Sequence, residues 1–76
     1  MPHVDIKYFP RNLSDEQLKA ISDDICDVLK KHLGASEDSL SVALNEVAPD
    51  RWKADVYDPV IKPGLTKLVK KPGYQY

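Results

Sequence analysis

The sequence predicts a small α/β domain of the α+β kind, built on one βαβ unit. Three observations predict it. Residues Met1 to Phe9 alternate polar and apolar. A capping-box start at Ser14 opens a long stretch with helical spacing of apolar residues. Residues Ser39 to Val47 alternate again. Strand, helix and strand in that order make two main parallel strands with a right-handed crossover. A second C-terminal helix and a short C-terminal tail complete the expected single domain, 1–76.

In the first strand, Val4, Ile6 and Tyr8 fall on one face and His3, Asp5, Lys7 and Phe9 on the other, because strand side chains alternate. The turn Phe9-Pro10-Arg11-Asn12 ends it. Ser14-Asp15-Glu16-Gln17 reads as a capping box, with Ser14 at the N-cap and Gln17 three residues on. Leu18, Ile21, Ile25, Val28, Leu29 and His32 or Leu33 then recur at helical spacing. Asp15 and Glu16 sit at the positive end of the helix dipole and Lys30 and Lys31 at the negative end. Gly34 supplies the stop, so the helix runs from Asp15 to Leu33. In the second strand, Leu40, Val42 and Leu44 share a face. Parallel strands need both faces covered, and one helix covers only one. The second half of the chain or another subunit must cover the rest.

Beyond Ala48 the pattern weakens. Asp58-Pro59 is one possible helix start, with proline at the first helical position. The stripe Leu65, Leu68, Val69 favours a helix from about Pro63 to Lys70, stopped by Pro72-Gly73. Tyr74-Gln75-Tyr76 is an aromatic tail suited to extending a sheet or covering a partner.

A chain of 76 residues buries only about 60% of its unfolded surface, and small scaffolds gain burial from disulfides, metals or partner subunits. The single cysteine, Cys26, excludes an internal disulfide and lies on the helix as a packing residue. His3 and His32 stand alone, without metal-ligand spacing. Association with other copies is therefore the expected source of burial. The net charge of −1 and pI near 6.0 give no basic footprint for nucleic acid. No apolar run is long enough for a membrane span and no signal-peptide pattern is present. The expected location is the cytoplasm, where a lone cysteine stays reduced.

Pro2 is the residue with the most chemical potential. Within a chain, proline nitrogen carries no proton and is not basic. Removal of Met1 would turn it into a secondary amine in a rigid ring. Burial or a nearby cation would bring such an amine toward neutrality, where a general base works best. The plain alternative is a strand-opening proline. With Met1 retained, Pro2 remains an amide and is inert in this sense.

Arg11 and Arg51 are the only arginines. Either could bind a carboxylate through its planar fork, or stand as a solvated loop charge. Trp52 is either packing or an apolar wall that keeps water from the amine. Asp23, Asp24 and Asp27 read as a solvated helix face, as do Lys67, Lys70 and Lys71. His32 serves the helix end. His3 neighbours Pro2 but points to the sheet face opposite Val4.

Together these features resemble the 4-oxalocrotonate tautomerase superfamily, and within it the PptA-type branch. The resemblance rests on Met1-Pro2-His3-Val4-Asp5-Ile6-Lys7, the Phe9-Pro10-Arg11 turn, the Ser14-Asp15-Glu16-Gln17 helix start, Trp52, and Lys70-Lys71-Pro72-Gly73-Tyr74. It covers nearly the whole chain. The resemblance implies loss of Met1 and use of the Pro2 nitrogen as general base and acid on the enol of a 2-keto acid. It implies no cofactor and no metal, and a dimer with sites between subunits. The family's first arginine position falls at Asn12 or Leu13 here, beside Arg11. Its second falls at Ser41, which carries no charge. Its aromatic wall falls at Trp52. The missing second cation points away from a dicarboxylate and toward an apolar or aromatic mono-acid such as phenylenolpyruvate. Arg11 and Trp52 are then the candidate substrate-binding residues. Two other readings stay open: a non-catalytic dimeric binding protein on this fold, and a sister hydratase or dehalogenase in which a protonated proline acts as an acid.

Overall fold

A computed structural model describes residues 1–76. The chain forms two compact units, Met1–Glu46 and Val47–Tyr76.

In the first unit, β1 (His3–Tyr8) pairs in parallel with β2 (Ser41–Glu46), His3 opposite Ser41 and Tyr8 opposite Glu46. The crossover is α1 (Asp15–Leu33). This is the βαβ arrangement that the alternating strands and the intervening helical period predict. The capping box forms in full. Ser14 Oγ accepts from the Gln17 backbone N–H at 3.1 Å, and Gln17 Oε1 accepts from the Ser14 N–H at 2.8 Å. At the other end Gly34 adopts φ 63° and donates its N–H to the Lys30 carbonyl at 3.1 Å. That left-handed conformation is one a side chain disfavours. The Lys30 ammonium pairs with Glu37, just past the helix. The bond to Glu37 raises the Lys30 pKa.

Leu18, Ile21, Ile25, Cys26 and Leu29 form the half-buried stripe of α1, whereas Val28 and Leu33 stay exposed. No residue of α1 is fully buried. β2 begins two residues later than the alternation from Ser39 predicts. Ser39 is instead drawn into a 3₁₀ turn (Glu37–Ser39) by its bonds to the Ser36 carbonyl, 2.8 Å from Oγ and 3.1 Å from the backbone N–H.

The second unit contains the second helix, but not where the Leu65-Leu68-Val69 stripe places it. A 3₁₀ turn at Pro49–Arg51 leads into a wide π-type helix over Lys53–Ile61. From Pro63 onward the chain makes only one 3₁₀ turn, Leu65–Lys67, and Val69 is fully exposed. Two local facts account for the shift. Gly64 weakens any helix beginning at Pro63. Pro59, expected at a helix start, lies inside the helix. Its ring crowds the carbonyl four residues back and it offers no N–H. Wider turns relieve this, as in the Lys62 N–H to Tyr57 carbonyl bond at 2.8 Å, five residues apart. Val56 and Tyr57, each 4% exposed, are the most buried residues of this unit. The aromatic tail packs within it: Tyr57 lies 5.9 Å from Tyr74 and 4.9 Å from Tyr76, ring centre to ring centre. No helix is long and apolar enough to cross a membrane.

Candidate active site

Pro2 sits at the edge of the parallel sheet, half-buried, directly before β1. Its carbonyl accepts the Ser41 backbone N–H at 3.3 Å. The next residue, His3, places Nδ1 2.6 Å from Ser41 Oγ. Ser41 therefore holds two consecutive residues at the front of the strand. Met1 is fully exposed, at 101%.

Further along the same face as His3, the Asp5 carboxylate accepts from the Lys7 ammonium at 2.9 Å and from the Asn45 amide at 2.8 Å. These two bonds, Lys7 first, lower the Asp5 pKa below the ordinary carboxylate value. The face is a polar ladder between β1 and β2.

Arg11 lies past the far end of β1. Its backbone N–H donates to the Glu46 carboxylate at 3.2 Å, which anchors the turn to the end of β2. Asn12 follows at φ 54°, a left-handed conformation that asparagine tolerates. Arg11 borders a cavity of about 190 Å³ lined otherwise by Ile6, Tyr8, Leu13, Ile21 and Leu44. That lining is almost wholly apolar, Arg11 included, so it suits an apolar body. The strand between Pro2 and Arg11 is six residues long, roughly 20 Å at the usual rise of a strand, while the cavity reaches back along it to Ile6. One chain thus places its Pro2 and its Arg11 at opposite ends of β1.

Arg51 is engaged elsewhere. Its guanidinium forms a two-pronged pair with Asp55, at 3.2 and 2.7 Å, which raises the Arg51 pKa. Trp52, in the second unit, is half-buried and donates its indole N–H to the Tyr74 hydroxyl at 3.0 Å. That bond fixes the indole plane and ties the C-terminal tail to it.

The strand and helix patterns could have yielded the cavity. Ile6 and Tyr8 belong to the apolar face of β1, Leu44 to that of β2 and Ile21 to the helix stripe. Leu13 and the Trp52–Tyr74 bond had no signal in residue spacing.

Residues 2–57 match the model of the tautomerase enzyme family. Relatives align over almost the full length. The Tautomerase PptA of Pectobacterium carotovorum subsp. carotovorum (strain PC1) is 66% identical over 76 residues, all of both chains. That of Cronobacter sakazakii (strain ATCC BAA-894) is 52% identical over 75 residues, 99% of each. That of Escherichia coli O139:H28 (strain E24377A / ETEC) is 46% identical over 74 residues, 97% of each.

The chain belongs to the tautomerase family. It is of the PptA type, and it is an isomerase with tautomerase activity. The non-catalytic binding protein that the residues alone left open thereby gives way to the enzyme.

Proposed function

We propose that this tautomerase converts enols of 2-keto acids to their ketones, with the Pro2 amine as general base and acid and without a cofactor. The observation that carries the reading is the anchored start of β1. A base must be held still to act on a bound enol, and the Ser41 N–H holds the Pro2 carbonyl at 3.3 Å. Once Met1 is removed, the ring nitrogen takes the proton of the enol hydroxyl. The electron pair of that O–H bond forms the C=O bond. The C=C pair then accepts a proton at carbon, which the ring nitrogen can return. The net change is a proton moved from oxygen to carbon.

The substrate is an apolar or aromatic mono-acid such as phenylenolpyruvate. The apolar cavity with Arg11 at its edge supports this, and Trp52 supplies a further aromatic surface. Pro2 and Arg11 lie at opposite ends of one β1, so the active assembly is a homodimer in which they serve one substrate from different copies. The expected setting is the cytoplasm.

The test begins with the intact mass of the purified chain, expected without Met1. The processed enzyme and Pro2→Gly are then compared by the decay of phenylenolpyruvate absorbance. The variant should lose about 10²- to 10⁴-fold in rate, the usual contribution of a general base. An unchanged rate overturns the role of Pro2. A ring nitrogen titrating near neutrality fits the base, whereas one titrating well above it fits the hydratase or dehalogenase chemistry.

A further inference from the structure

The amine proposed above is part of the backbone, so side-chain packing cannot aim it. Its direction is set by the torsions that join the proline ring to the sheet. The ring fixes φ of Pro2, which leaves ψ as the soft torsion between the nitrogen and the first peptide plane. Chain ends fray unless tied down. Here that first plane is held at one point, the Pro2 carbonyl, by the Ser41 backbone N–H at 3.3 Å. That bond holds the plane at one edge. The second hold is the side-chain contact of the next residue, His3 Nδ1 to Ser41 Oγ at 2.6 Å.

We propose that Ser41, through its hydroxyl contact with His3, is the positioning residue that orients the Pro2 nitrogen for proton transfer. The proposal rests on the Pro2 reading above, and it gives work to two residues outside the substrate-binding set. The contact suits that role because a hydroxyl can either donate to Nδ1 or accept from its N–H. Both side chains are exposed in the chain, so this bond and not burial fixes them. His3 and Ser41 also stand directly opposite each other in the strand register, which sets the short reach needed.

The experiment uses the full, Met1-processed enzyme with phenylenolpyruvate. Ser41→Ala keeps the backbone N–H and removes only the hydroxyl. It should lower kcat about tenfold, since small misplacements of a catalytic group cost up to about 10², and leave KM within about twofold. Ser41→Thr, which restores a hydroxyl, should recover most of kcat. His3→Phe removes the other partner, and its loss should match that of Ser41→Ala. The double variant should be no slower than either single one, because both break the same contact. Wild-type kcat in Ser41→Ala overturns the proposal, as do additive losses in the double variant or a rise in KM alone. If Ser41→Ala proves unfolded by circular dichroism, His3→Phe decides alone: full kcat overturns the proposal, and a tenfold loss at unchanged KM supports it. The Pro2 reading fails separately, on an unchanged rate in Pro2→Gly.

Discussion

At the scale of single residues, the first strand is polar on one face because its charges answer one another. Asp5 is the centre of that ladder, bonded to Lys7 on its own strand and to Asn45 on β2. Its pKa is lowered in the folded chain, chiefly by the Lys7 bond. A lowered carboxyl contributes stability that is fully present above its unfolded value, about 3.9, and is lost as pH falls through the folded value. Asp5→Asn should therefore be less stable than the parent at neutral pH, by a small amount because the pair is solvent-exposed. The gap in urea midpoint should hold down to about pH 4 and narrow as the pH falls further. A gap that stays constant below about pH 4 would show that Asp5 acts by shape and not by charge. The same residue scale limited the sequence reading. Ser41 looked like a lost cation when weighed by residue type, and its bonds to Pro2 and His3 depend on a strand register that no local pattern specifies.

At the scale of elements, legibility followed the range of the forces involved. The boundaries of α1 were readable to the residue, because a capping box and a left-handed glycine are local devices. Their energetic weight is testable. Ser14→Ala removes the acceptor for the Gln17 N–H and should destabilise the chain by about 1 kcal/mol. Urea unfolding should show this as a lower midpoint at unchanged slope. Ser14→Gly should cost only a few tenths of that scale, and equal losses in the two variants would argue against capping as the cause. The strands were readable to within two residues, since alternation marks a face but not where pairing stops. The second helix was misplaced because its stabilisation is not local. Val56 and Tyr57 are the residues it buries; Trp52, Val56 and Val60 fall four apart, but Pro59 interrupts that stripe. The chain accepts Pro59 inside that helix by widening its turns, an outcome that proline rules read as a helix boundary. Trp52 was legible as an aromatic position, but its bond to Tyr74 crosses 22 residues of chain.

At the scale of the full chain, exposed apolar residues argue for assembly. Phe9, Val28, Leu33 and Val60 are all large, apolar and about half exposed or more. The proposed dimer would cover such surface, and it would also solve the geometric problem of the site. A six-residue strand lies between Pro2 and Arg11 in one chain. A two-fold axis can bring the front of one β1 to the far end of another, since a symmetric interface presents each patch to its counterpart. Mixing then becomes decisive. Pro2→Gly and Arg11→Ala should each be nearly inactive alone. Unfolded together and refolded at equal amounts, they should form mixed dimers in which one site takes Pro2 from one chain and Arg11 from the other. Random pairing makes half the dimers mixed, each with one intact site of two, so activity should return to about one quarter of the parent value. Sedimentation of the refolded sample should show dimers throughout. If the dimers form and activity stays at the level of the separate variants, Pro2 and Arg11 do not meet across copies, and the shared site is wrong even though the assembly is right.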